Sequence, residues 1–124
     1  MSLCLIDTSA WVHALRPDGD AHVAALVRNA LESGEASWCP IVQLELWNGA
    51  RGEHEKGVLT SMAKVLPELA IDGTVWSTAW EMAKQARARG ITAPATDILV
   101  LACSQRHGIP LVHADGHFDL LMAV

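Results

Sequence analysis

The sequence predicts an α/β fold, a short and mostly parallel central sheet with helices on both faces. Two observations predict it. Short apolar runs alternate along the chain with longer stretches of helical periodicity, an order that builds parallel strands joined by right-handed crossovers. The 124 residues, 51% hydrophobic and 19% charged, suffice for one core, and no repeat, low-complexity stretch or linker divides them. Residues 1–124 are therefore expected to form a single domain.

Leu3–Ile6 is an apolar run short enough for a buried strand, and Asp7, Thr8 and Ser9 offer capping side chains for a helix from Ala10 to Leu15. Pro17–Asp20 is a turn. Val23, Leu26, Val27, Ala30 and Leu31 lie at helical spacing in a second helix over 21–31. Ser33-Gly34-Glu35 breaks it, and Ala36–Cys39 reads as a second strand. Pro40 suits the first turn of a helix through Trp47, a segment that reads as core-facing. A further helix is expected over 53–66, then a third strand over Leu69–Ile71. Val75–Arg89 reads as a long helix with Trp76, Trp80 and Ala83 on one face, stopped by Gly90. The two tryptophans are i,i+4 neighbours, fitting either a core stripe or a dimer seam. Thr96 and Asp97 open a helix that runs to His107 and closes at Gly108. Ile109–His113 is the fourth expected strand, and the tail has room for about one helical turn around Phe118.

In parallel sheets, sites lie beyond the carboxyl ends of the strands. Asp7 directly follows the first strand, and Asp115 lies two residues past the fourth. Asp97 sits in the first turn of the helix leading into that fourth strand. Glu45 stands among Leu44, Leu46 and Trp47. Singly, Asp7 and Asp97 read as helix caps, Asp115 as a turn residue and Glu45 as half of an ion pair. Together they obey one topological rule. Two carboxylates ~6 Å apart repel by about 3 kcal/mol at an effective dielectric near 20, so four converging acids need protons or cations. An all-oxygen set selects a hard divalent ion, Mg²⁺ or Mn²⁺, whose shell substrate phosphate completes. That points to phosphoryl chemistry.

The remaining composition narrows the field. The net charge of -5 excludes coating nucleic acid by charge alone, so an enzyme of nucleic acids needs a metal to supply positive charge. No apolar run reaches the ~18 residues of a membrane span, and Asp7 interrupts the only leader-like run. Cys4, Cys39 and Cys103 form no CxxC pair and read as small buried hydrophobes of a reduced cytoplasm.

Four segments carry a resemblance. Leu5-Ile6-Asp7-Thr8-Ser9-Ala10, Leu44-Glu45-Leu46, Ala95 to Ala102, and His113-Ala114-Asp115-Gly116-His117-Phe118 resemble, in order and spacing, the motifs of the PIN domain. Within it, the chain looks like the VapC toxins, ribonucleases of toxin–antitoxin pairs. The resemblance implies an α/β/α sandwich and a Mg²⁺- or Mn²⁺-dependent endoribonuclease. Asp7, Glu45, Asp97 and Asp115 match the catalytic acids. Asp7, Asp97 and Asp115 match the metal ligands, while Glu45 orients water or a ligand. Thr8 and Ser9 match the small hydroxyls beside the first acid. It also implies a homodimer and a small antitoxin, whose tail is expected to set an apolar stretch against Trp11 and Trp47 and a cation among the acids.

His113 departs from the pattern, standing where Thr or Ser is usual. It can contact phosphate, shift metal preference or fill the strand end. A zinc site of His113, Asp115 and His117 has no second cluster behind it; His117 reads as a solvated loop residue and Asp119 as a surface one. Arg87, Arg89 and Arg106 are candidates to rim the site and hold RNA phosphate. The tail leaves little room for a last edge strand. The alternatives are a catalytically silent PIN-like binding module, against which the four acids argue, and a phospho-accepting receiver, which lacks an acidic pair at Asp7 and a late lysine after Lys84.

Overall fold

Cys4–Ile6 (β1) is the central strand of a three-stranded parallel sheet in the computed structural model, which describes residues 2–124. Ala36–Ser37 (β2) flanks it on one side, with Cys4 opposite Ala36 and Leu5 opposite Ser37. Leu111–Val112 (β3) flanks it on the other, with Leu5 opposite Leu111 and Ile6 opposite Val112. The order β2-β1-β3 leaves Leu5 and Ile6 fully buried in the middle of the core.

Among the described residues, seven helices surround the sheet: Thr8–Leu15 (α1), Ala21–Glu32 (α2), Pro40–Asn48 (α3), Gly52–Val65 (α4), Gly73–Ala88 (α5), Ala95–His107 (α6) and Gly116–Met122 (α7). Their starts follow local chemistry. Asp7, Asp20, Asp72 and Asp115 each accept a backbone N–H as N-caps, and Pro40 opens α3. Gly108 ends α6 in the left-handed conformation that a residue with Cβ resists. Helix α1 packs on α2 and α5 on α6, while α3 touches both α1 and α6.

Helix α6 organises the interior. Every residue from Asp97 to Ser104 is buried, so it is enclosed on all sides rather than along one stripe. The same enclosure carries the Asp97 carboxylate out of water.

The third expected strand, Leu69–Ile71, does not join the sheet. Pro67 has no N–H to donate, and pairing stops at one bridge: Trp38 N donates to Pro67 O (3.2 Å) and Leu69 N to Trp38 O (2.8 Å). The backbone then turns toward α6, where Ala70 O contacts His107 Nε2 at 2.9 Å. Of the two readings of the α5 tryptophans, the core stripe is ruled out. Val75, Ala79 and Ala86 face the core, and Trp76 and Trp80 are exposed, so they are no core stripe. In α3, Val42 and Leu46 form the buried face while Leu44 and Trp47 point outward. The tail forms two turns rather than one, anchored by buried Phe118 and Leu121, and no edge strand follows β3 among the described residues.

Candidate metal centre at the carboxyl edge of the sheet

The strand ends deliver two acidic loops to one place. Asp7 ends β1 and caps α1, its Oδ2 accepting from Ser9 N (2.9 Å) and Ser9 Oγ (2.7 Å). The Ser9 hydroxyl in turn accepts from Ala114 N at 3.0 Å. One side chain thus ties the β1–α1 corner to the loop after β3, across 105 residues of sequence. Beyond that tie, Asp115 caps α7 and accepts from His117 N at 2.9 Å. Its own N–H donates to His113 Nδ1 (3.2 Å), and the His113 ring lies against Phe118 with centroids 4.8 Å apart.

Asp97 approaches from α6. It is only 8% exposed, and its Oδ2 accepts no hydrogen bond from any described residue. Burial, then the charges of Asp115 and Asp7, push its pKa up to about 6. Asp115 moves the other way: the hydrogen bond from His117 N, above all, holds its carboxyl below the usual range. Glu45 reaches the rim from α3, where Thr8 Oγ1 donates to its Oε1 at 2.9 Å. Burial raises its pKa, and the charge of Asp7 adds to the rise against the Thr8 bond.

The four expected acids therefore gather, though not as equals. Ligand atoms of Asp97, Asp115 and His117 lie within 4.8 Å of one another. Asp7 lies beside this group with one oxygen spent on Ser9, and Glu45 is tied to Thr8. His117 is the residue that the sequence reading misplaced. Its Nδ1 lies 2.8 Å from Asp115 Oδ1 and 3.7 Å from Asp97 Oδ2. The available signal was its position directly before Phe118, whose burial in the core fixes the start of α7.

Two further placements, those of Trp11 and Arg106, differ from expectation. Trp11 is buried, edge-on to Trp38 at 6.3 Å, and lines no groove; Trp47 alone of that pair is exposed. Arg106 lies nine residues beyond Asp97 on α6, about 14 Å along a helix, beside Asp72 and Thr74. Arg87 ends α5 near the start of α6 and donates to Thr92 Oγ1 at 3.2 Å. His113 supports Asp115 and faces Asp119 at 3.7 Å, and Asp119 is exposed as expected.

The chemistry of this group fits a divalent cation. A carboxylate oxygen that is buried and bonded to nothing, beside a second acid, is stabilised by a positive charge placed between them.

Comparison with known proteins agrees with this architecture. The family model described as PIN domain matches residues 4–121. Ribonuclease VapC11 of Mycobacterium tuberculosis is 32% identical over 126 residues, covering 98% of this chain and 93% of that protein. The DNA-bound VapBC of Salmonella typhimurium superposes with a TM-score of 0.79 at 16% identity, over 96% of this chain and 92% of that one. VapBC-5 of Mycobacterium tuberculosis, a member of the VapBC family of toxin–antitoxin systems, gives 0.70 at 17% identity, over 98% and 91%. These two structures share the α/β/α fold. The chain belongs to the PIN domain family, and within it to the VapC branch.

Proposed function

We propose that this chain is a divalent-metal-dependent endoribonuclease acting as the toxin of a toxin–antitoxin pair, with Mg²⁺ as its ion and Mn²⁺ as a substitute. The observation that carries the reading is the buried, unpartnered Oδ2 of Asp97 beside Asp115, inside a chain that aligns with a ribonuclease over nearly its whole length. Asp97 and Asp115 hold the ion, and Asp7, buried behind them, adds the negative charge that draws it in. When bound, such an ion makes a water acidic enough to attack and offsets charge on the phosphate oxygens. Glu45 orients the attacking water and accepts its proton. Its raised pKa makes it a better base than an exposed glutamate, and Thr8 fixes one of its two oxygens. A silent binding module has no use for a buried acid kept short of hydrogen bonds.

The toxin reading includes a small antitoxin. Leu44 and Trp47 flank Glu45 with their side chains exposed, a platform for an apolar segment whose Arg or Lys reaches the acids. We further propose a homodimer seam on the exposed Trp76 and Trp80, and residence in the cytoplasm; no helix among the described residues is long and apolar enough to cross a membrane.

The test is cleavage of a total RNA pool by purified chain with Mg²⁺ or Mn²⁺, mapped by sequencing new ends. Defined ends are expected from wild type and none from Asp97→Asn. Equal cleavage by both proteins would remove Asp97 from the site. Co-expression with the protein encoded next to it should yield a complex that cleaves more slowly than the free chain. Sedimentation of Trp80→Glu as a monomer, against a dimeric wild type, is the check on the seam.

A further inference from the structure

The residue that completes the acidic group is not an acid. His117 Nδ1 stands 2.8 Å from Asp115 Oδ1 and 3.7 Å from Asp97 Oδ2. Around an octahedral ion with bonds of about 2.1 Å, neighbouring ligand atoms stand about 3 Å apart and opposite ones about 4.2 Å. Two of the three spacings, 2.8 and 3.7 Å, fall in that range, the shorter being also a hydrogen-bond distance, and a ligand atom from each residue lies within 4.8 Å of the others. One of them, Asp97 Oδ2, is buried and accepts no hydrogen bond, which marks the space between them as the place for a cation.

The ring is held in place by its neighbours in the chain. His117 is the second residue of α7, its N–H is capped by Asp115, and the next residue, Phe118, is fully buried. With Phe118 anchored, the start of α7 sets His117 beside Asp97 and Asp115. Its half-exposed side chain leaves room for water on the other side of the ring.

We propose that His117 Nδ1 is a direct nitrogen ligand of the divalent ion held by Asp97 and Asp115, and that it biases the site toward Mn²⁺ over Mg²⁺. The inference rests on the metal-dependent reading and deepens it. Ligation uses neutral imidazole with Nδ1 free and the proton on Nε2, directed to solvent. Carboxylates alone serve Mg²⁺ and Mn²⁺ alike, whereas imidazole nitrogen is a poor partner for the harder Mg²⁺. One histidine thus converts an all-oxygen site into one that discriminates between the two ions.

The experiment is pulsed electron paramagnetic resonance of the full chain loaded with Mn²⁺, joined to calorimetric titrations with Mn²⁺ and Mg²⁺. Wild type should show ¹⁴N coupling to manganese. His117→Gln should lose the coupling and bind Mn²⁺ roughly tenfold or more weakly, with Mg²⁺ affinity changed far less. His113→Asn should keep the coupling. Should His117→Gln fold poorly, ¹⁵N-histidine in the wild-type chain must alter the modulation frequency instead. Mn²⁺ bound without nitrogen coupling, or coupling that vanishes only in His113→Asn, overturns the assignment while leaving the metal-dependent reading intact. If Mn²⁺ does not bind at all, both fall together.

Discussion

Asp7 and Asp97 are both buried aspartates at the carboxyl edge of one sheet, yet the structure treats them oppositely. At the β1–α1 corner, Asp7 Oδ2 receives two hydrogen bonds from Ser9, and the Ser9 hydroxyl is itself used to fasten the loop after β3. At the start of α6, Asp97 Oδ2 receives none and faces Asp115. A buried carboxylate given donors helps to hold the fold, whereas one denied them stores a demand for a proton or a cation. The first region fastens two loops together, and the second is where the proposed ion would be held.

The sharpest break of this comparison is in activity. Asp97→Asn and Asp7→Asn should each lower RNA cleavage by roughly 10²–10³-fold, the loss expected when one electrostatic stabiliser of a reacting centre is removed. Their stabilities should then part. In metal-free buffer Asp97→Asn relieves burial of a charge and should melt roughly 3–6 °C higher, the shift that about 1 kcal/mol produces at this size. Asp7→Asn, which can still accept from Ser9 N, should melt close to wild type. An Asp97→Asn protein that melts well below wild type would show its carboxylate to be supported after all.

Next in size is the tie between the regions. Ser9→Ala leaves Asp7 short of a donor and Ala114 N short of an acceptor, and should cost about 1–3 kcal/mol in urea unfolding. Cleavage should fall with it, because Asp115 follows Ala114 directly. Unchanged stability would mean that water replaces the hydroxyl at no cost.

The pH dependence separates the same two groups. Asp97 titrates near 6 in the folded chain and near 4 unfolded, so between those values the native state binds more protons. Metal-free stability should therefore fall as pH rises from about 4 to 6, and the fall should shrink in Asp97→Asn to the part left by Glu45, whose pKa burial also raises. Asp115, held below its ordinary value, contributes stability above about pH 4 that is lost as pH drops further. Millimolar Mg²⁺ should raise the melting temperature of wild type above pH 6 more than that of Asp97→Asn.

The smallest effect on binding belongs to Glu45. Glu45→Gln keeps the Thr8 bond and should change Mn²⁺ affinity little while turnover falls. A large loss of Mn²⁺ binding in calorimetry would make Glu45 a direct ligand.

Much of this was legible in the residues themselves. Short apolar runs followed by capping Asp7 and Asp115, or by Pro40, predict β1, β3 and β2 and the helix starts after them, because both signals are local. The rule that sites gather past strand ends singles out Asp7 and Asp115 as candidates, since it depends on chain order alone, and Asp97 is added from its place in the first turn of a helix. Patterns that compare faces fared worse. Trp76 and Trp80 share a face, but which face meets the core was settled by Val75, Ala79 and Ala86 packing toward α6. Leu69–Ile71 has the composition of a strand, but Pro67 and the competing contact of Ala70 O with His107 deny it a ladder.

What the sequence by itself determined is the set of acids, their order, and the edge of the sheet they occupy. Only the tertiary structure decided their unequal roles. Whether a carboxylate is supported or left wanting depends on donors brought from elsewhere in the chain, such as Ser9 meeting Ala114 and Thr8 meeting Glu45. His117 joined the site for the same reason: its place over Asp97 follows from Phe118 filling the core, a constraint that spacing does not encode.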